Sequence, residues 1–371
     1  MKNIPVSEPD LSGNEERYVL EAMRSTWISS TGPFVKRFEA EFAAAAGTRT
    51  AISVSNGTLA LHLALLTLDL RPGDEVIVPS LTYVATANAV RYCGAEPVFV
   101  DVDPGTWCVN PALIERALTP RTKGIVPVHL YGHPADMDEV NRVAAEHGLW
   151  VVEDAAEAHM ARYRGRPVGG LGRIGVFSFY GNKVLTSGEG GAVTLNDPEL
   201  ERKGRILRGQ GMDPERRYFF PIIGYNYRLT NVACAILCAQ LERAQAIVAR
   251  RRKIFEHYRT LLQGIPGIGF QPVAPWAEAS PWLFCATVET REYGRTRDEL
   301  MALLAERGIE TRPFFIPIHS LPPYMEASRQ RGEVLPFTDA LGASGMNLPT
   351  FTGMADEAVE RVATAIRTGQ R

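Results

Sequence analysis

Three short segments carry residue types that could do chemistry. Lys183 ends the segment Ser178-Phe179-Tyr180-Gly181-Asn182-Lys183, just past an apolar run and ahead of Gly188-Glu189-Gly190-Gly191. A lysine amine beside a pocket can lose its proton and form an imine with a carbonyl. Read alone, it is equally a surface lysine after a loop. Asp154 closes the run 150–154 (WVVED), and Glu157 follows three residues later. A carboxylate at the carboxyl end of a parallel strand faces the crevice where α/β proteins bind ligands; capping the next turn is the plainer role for Asp154. The third segment is 53–58 (SVSNGT), where Ser55, Asn56, Gly57 and Thr58 lead straight into an apolar helix at 59–68. Small residues at a helix start leave N–H groups free and let a single phosphate approach. Simple N-capping by Ser55 or Thr58 explains the same residues.

Together the segments point further than each does alone. A phosphate cradle, a strand-end aspartate and a loop lysine are the parts a pyridoxal phosphate site requires. The lysine forms the Schiff base, and the carboxylate keeps the pyridinium nitrogen protonated so that the ring accepts electrons. Tyr83, just beyond the run 75–80 (EVIVPS), could stack on that ring.

These residues need a scaffold, and the chain between about 50 and 200 supplies one. Apolar runs at 75–80, 97–102, 124–130, 150–155, 176–180 and 191–196 are rich in Val and Ile and lack polar alternation. Strands covered on both faces read this way. Helical patterns at 83–93, 110–118 and 136–147 lie between them, so the expected fold is α/β, a mostly parallel sheet sandwiched by helices. A short Gly-rich link joins the last two runs, which makes the sheet mixed there. One long helix is expected from Asn231 to about Leu262, ended by Gly264 before Pro266. A smaller α+β unit follows, with strands at 283–289 and 309–313 and a helix at 296–307. The expected organisation is thus an N-terminal segment 1–49 packing with the small unit, a large domain 50–264, and a small domain 265–371.

Composition excludes other classes. The 371 residues hold 40 Lys plus Arg against 42 Asp plus Glu, a net charge of −2, so a nucleic-acid partner is not expected. The N-terminus MKNIPVSEPD lacks a signal-peptide apolar core, and no apolar stretch approaches a membrane span. Five scattered cysteines without a CxxC pair fit a reducing cytoplasm rather than a disulfide framework. No metal site is expected. Residues 170–175 (GLGRIG) match GxGxxG, but a loop precedes the match and a strand follows it. The dinucleotide fingerprint needs the reverse order, so a nicotinamide-dependent oxidoreductase is not the reading.

The ordered set SNGT, PSLTYVATANAV (79–90), VHLYGHPADM (128–137), EDAAEAH (153–159), SFYGNK, GEGG and GYNYRLTN (224–231) resembles one family over nearly the whole chain. It is the pyridoxal-phosphate-dependent aminotransferases of nucleotide-linked keto sugars, within the aspartate-aminotransferase superfamily. SFYGNK with GEGG, and 207–218 (LRGQGMDPERRY), most resemble the branch that aminates GDP-4-keto-6-deoxymannose with glutamate; a UDP- or dTDP-linked keto sugar is the alternative. The resemblance implies that Lys183 carries the cofactor imine and Asp154 pairs with the pyridine nitrogen. It implies that Gly57, Thr58 and Ser178 hold the phosphate, Tyr83 stacks, and Glu157 lies near the ring hydroxyl. Asn226 matches a residue reaching the phosphate from a partner subunit, which implies a homodimer with shared sites. His319, Arg228 and Arg216 are the expected sugar-nucleotide contacts. His159-Met160 departs from the family, where glycine often follows that histidine.

Overall fold

The computed structural model describes residues 3–371. Its centre is a seven-stranded sheet in the order Thr50–Val54, Gly191–Leu195, Ile174–Ser178, Trp150–Asp154, Thr122–Ile125, Glu75–Pro79, Glu96–Val100. Only Gly191–Leu195 runs against the others, pairing antiparallel with both of its neighbours. The mixed character therefore falls where the short Gly-rich link placed it. Successive side chains go to opposite faces: Ile77, Val151 and Phe177 join one buried cluster, and Val76, Val152 and Val176 the other. Both faces are covered by helices, which is why these strands read as continuous apolar runs.

The small lobe is an antiparallel sheet ordered Ile268–Phe270, Phe284–Val288, Gly345–Leu348, Arg312–Pro313. Its helix Arg297–Glu306 opens with a capping box between Thr296 and Glu299. Its core also takes Ile254, Tyr258 and Leu262, so the lobes share a helix.

Some elements differ from expectation. The strand Thr50–Val54 was not expected; its five residues merge into the SNGT loop in a linear reading. The helix Pro198–Arg208, capped by Asp197, is another addition, its mostly charged sequence giving little apolar signal. The single long helix is two, Asn231–Glu242 and Ala244–Leu262, bent by 64°. Arg243 at the bend holds Asp10 through two contacts of 2.9 and 3.2 Å, a partner distant in sequence. The first segment divides between the lobes. Ile4 bridges Ile309, whereas helices Glu15–Ser25 and Pro33–Ala45 pack on Asn231–Glu242 in the large lobe. Among the described residues no single helix is long and apolar enough to cross a membrane.

The loop holding GLGRIG serves this frame. Buried Glu153 accepts the N–H groups of Gly169, Leu171 and Gly172 at 2.7–2.8 Å. His129 accepts the Ala135 N–H at Nδ1, so its Nε2–H donates to Glu153 at 3.1 Å. Glu153 thereby anchors the loop beside the strand that delivers Asp154.

Candidate active site

The carboxyl ends of the central strands open on a cavity of about 440 Å³ at the junction of the lobes. Asn56, Gly57, Thr58, Tyr83, Asp154, Glu157, Ser178 and Lys183 all line it. Residues spread over more than a hundred positions thus converge because parallel strands deliver their ends to one edge.

Each wall has a physical origin. Asn56 Oδ1 accepts the Leu59 N–H at 2.9 Å and starts the helix Gly57–Thr67. That cap leaves the earlier N–H groups of the first turn aimed at the cavity. A Cβ on Gly57 would lie 2.6 Å from Ser178 Cβ, so only glycine lets strand and helix close into this cradle. Ser55 turns away: its hydroxyl donates to the Arg228 carbonyl at 3.0 Å, and neither residue lines the cavity.

Asp154 is buried on the floor. Thr86 Oγ1 donates to its Oδ2 at 2.7 Å and the Ala156 N–H to its Oδ1 at 3.2 Å. Burial raises its pKa, against these two donors and the charge of Lys183, which lower it. Such a carboxylate gains most from a cationic ligand group. Lys183 Nζ stands 3.8 Å from Glu157 Oε1 and 3.7 Å from the ring centroid of Trp282. Its pKa is lowered, with burial the main cause, which favours the neutral, nucleophilic amine. Glu157 accepts the Tyr131 N–H at 2.7 Å, and burial raises its pKa to about 7. Half-exposed Tyr83 tilts against Phe315 at 5.9 Å.

The shifted Glu157 predicts a pH effect on stability. Its pKa of about 7 in the folded chain lies above the ordinary 4.5, so its favourable contribution is complete below about pH 4.5 and is lost as pH rises through 7. In the cofactor-free protein, the stability of wild type relative to Glu157→Gln is expected to fall by on the order of 3 kcal/mol across that window. Urea unfolding at a series of pH values measures it, and parallel curves for the two proteins would contradict it.

Thr86, Asn182, Trp282 and Arg312 also line the cavity, and sequence reasoning gave none of them an individual role, although Thr86 and Asn182 sit inside the quoted motifs. Thr86 lies inside the expected helix 83–93 and Arg312 inside the expected strand 309–313, while Trp282 falls just before the expected strand 283–289. Exposed Arg312 forms no ion pair among the described residues. His159 is a buried aromatic plate, nearly parallel to Phe179 at 5.0 Å and Phe177 at 6.0 Å, and burial pushes its pKa down to about 3. It is therefore neutral and fills space under the Lys183 loop.

Besides Ser55 and Arg228, three further expected residues stand apart from the cavity within one chain. His319 binds Ser80 Oγ at 2.8 Å and lies 3.3 Å from Asp339. Arg216 lies over the Phe219 ring at 4.5 Å, and Asn226 is exposed beyond that segment.

The cavity fits pyridoxal phosphate on its own features. It has a glycine-opened helix start for the phosphate, a buried carboxylate for a cationic ring nitrogen, and a desolvated amine for the carbonyl carbon.

Comparison with known proteins agrees. The model of the DegT/DnrJ/EryC1/StrS aminotransferase family matches residues 9–367. The chain is 49% identical to GDP-perosamine synthase of Caulobacter vibrioides over 368 residues, covering 99% of this chain and 98% of the relative. It is 43% identical to GDP-perosamine synthase of Escherichia coli O157:H7 over 366 residues, with 99% and 98% covered. The solved structure of S. venezuelae DesV, a complex with a ketimine intermediate, superposes with a TM-score of 0.93 at 38% identity, covering both chains fully.

Proposed function

The chain belongs to the DegT/DnrJ/EryC1/StrS aminotransferase family and is a pyridoxal-phosphate-dependent aminotransferase, and from that premise we propose that it moves the amino group of glutamate to C4 of GDP-4-keto-6-deoxymannose, giving GDP-perosamine. The observation that carries the amino transfer is the meeting of Lys183, Asp154 and the Gly57 helix start in one cavity. The likeness to two GDP-perosamine synthases along nearly the full length supports the sugar and the nucleotide.

When bound, the cofactor supplies an electron sink that stabilises negative charge on a carbon losing its proton. The N–H groups of Gly57 and Thr58 with Ser178 Oγ would hold its phosphate, Asp154 its ring nitrogen, Glu157 its ring hydroxyl, Tyr83 its ring face and Lys183 its carbonyl carbon. Lys183 Nζ, once free and neutral, takes the proton from the glutamate Cα and hands it on as an ammonium within the same cavity. In the second half-reaction Lys183 moves a proton in the opposite sense and leaves it on sugar C4. Asp154 stays ionised throughout and holds positive charge opposite itself. Arg312 gives the cavity a second cation, suited to an anionic group of either substrate.

A panel of GDP-, UDP- and dTDP-linked 4-keto-6-deoxy sugars, each assayed with glutamate, tests the substrate. The expected result is turnover at least tenfold higher with the GDP sugar. Equal or better turnover with a UDP or dTDP sugar overturns the nucleotide assignment. A protein whose visible band is unmoved by glutamate overturns the amino transfer.

The active enzyme is a homodimer with shared sites. The segment before Asn226 exposes Tyr218, Phe219, Phe220, Ile222 and Ile223, the last 90% exposed. A contiguous apolar stretch of this kind is suited to cover by a second subunit. Mixing inactive Lys183→Ala with inactive Asn226→Ala is expected to restore activity toward a quarter of wild type, because one site of each mixed dimer is intact. No recovery after proven subunit exchange would count against shared sites. Five unpaired, buried thiols support a reducing, cytoplasmic location.

A further inference from the structure

Trp282 touches the catalytic loop in more ways than core packing requires. Its indole N–H donates to the carbonyl of Asn182, the residue before Lys183, at 2.8 Å. The ring face of the same indole receives Lys183 Nζ, 3.7 Å from its centroid. The ring also lies nearly parallel to Tyr131, with centroids 6.1 Å apart. Tyr131 donates its N–H to Glu157, and Glu157 faces Lys183. The contacts close a circuit from Lys183 through Trp282, Tyr131 and Glu157 back to Lys183.

The backbone of Trp282 is fixed separately. Arg251 is fully buried on the helix that both lobes share, and its Nη1 donates to the carbonyls of Trp282 at 2.8 Å and Thr350 at 3.2 Å. No carboxylate pairs with Arg251 among the described residues. A buried guanidinium is costly, and here its contacts hold the backbone at Trp282 and at Thr350.

We propose that Trp282 is a positioning residue of the amino transfer: its N–H fixes the loop that carries Lys183, and its ring face stabilises the Lys183 ammonium formed whenever that lysine accepts a proton. The proposal rests on the reading of Lys183 as the proton-carrying lysine of the aminotransferase. A proton moving from the glutamate Cα to Nζ turns a neutral amine into a cation inside a buried cavity. Burial opposes that charge; Glu157 and Asp154 favour it, and Arg312 opposes it. Glu189, Tyr83 and Tyr180 also line the space, and His159 lies behind the loop as a neutral ring. The indole face adds attraction for the cation without adding a proton acceptor that would compete for it.

The test reads Lys183 itself in the cofactor-free protein. The rate at which its amine reacts with trinitrobenzenesulfonate, mapped by peptide mass spectrometry, is followed against pH. Trp282→Leu is expected to lower the midpoint by about one pH unit relative to wild type. Trp282→Phe, which keeps a ring, lowers it by a few tenths of a unit. Tetrafluorotryptophan at position 282 keeps shape and N–H while removing the negative ring face, and lowers the midpoint as Leu does. An unchanged midpoint in the fluorinated protein overturns the ammonium role even if the Leu variant does not fold. Hydrogen exchange of the peptide containing 181–184 is expected to quicken at least tenfold in Trp282→Phe, which lacks the N–H, and to stay unchanged in the fluorinated protein. Equal exchange in all forms overturns the anchoring role. Because both readouts use the cofactor-free chain, they can fail while the aminotransferase reading stands, and the reverse.

Discussion

Lys183→Ala is expected to cut turnover by about four orders of magnitude or more while leaving the fold and cofactor binding in place. Two tasks are lost together, since in the proposed reaction Lys183 is both the amine that engages the cofactor and the group that moves the proton. The fold survives because the lysine is itself a burden: its charge is buried, and the loop around it is held by other groups. Thr186 Oγ1 donates to the Phe179 carbonyl at 2.9 Å, and the Lys183 N–H donates to the Tyr180 carbonyl at 2.9 Å whatever side chain follows. Two further arms separate charge from proton transfer. Lys183→Arg keeps a cation near Glu157 but cannot release its proton, and is expected to be as inactive as the alanine variant. Ethylamine in the assay is expected to restore part of the alanine variant's rate, because a free amine can enter the vacated space and carry the proton. Single-turnover loss of the visible band with glutamate measures all three. An alanine variant within tenfold of wild type would remove Lys183 from the mechanism.

The parts of this site that a linear reading reaches are those fixed by local rules. Lys183, Asp154 and the SNGT helix start follow from strand ends and helix caps, which short segments encode. The apolar runs announce a sheet buried on both faces because each Val or Ile has a helix to meet. What escapes is whatever depends on a distant partner. Nothing in the sequence near Arg243 signals a helix break, and at the bend its side chain meets Asp10, more than two hundred positions away. Trp282 and Arg312 belong to the small lobe, and only the packing of the two lobes brings them to Lys183. Thr86 reads as an ordinary helix residue until Asp154 is seen 2.7 Å away. His319 shows the converse, a residue that stands out in sequence yet is held by Ser80 and Asp339 outside the cavity of its own chain.

Asp154→Asn should give the second-largest loss, roughly a thousandfold in turnover, with no loss of stability. Asparagine keeps the size of the side chain: its Oδ1 can still accept the Ala156 N–H, and the Thr86 hydroxyl can turn to accept from its Nδ2, so the floor of the cavity keeps its shape. What it cannot do is carry the negative charge that, in the proposed reaction, would hold a cationic ring nitrogen in its protonated state, and electrostatic complementarity in a buried site is worth several kcal/mol. Stability should move the other way. Burial raises the pKa of Asp154 above the ordinary 3.8, so its favourable contribution is present below that value and is lost as pH rises through the folded-state pKa. At neutral pH the buried carboxyl, its pKa raised by burial, costs the cofactor-free protein stability, and asparagine relieves it. Thr86→Val offers a graded control: it removes one donor to the charged carboxylate and should cost about tenfold in turnover. Steady-state rates together with thermal unfolding of the cofactor-free proteins decide the matter. An Asp154→Asn enzyme that loses activity only because it unfolds, or one that keeps its activity, would show that the buried carboxylate does not work by its charge. The expected pattern, a folded protein at least as stable as wild type but a thousandfold slower, sets the charge of Asp154 apart from its packing.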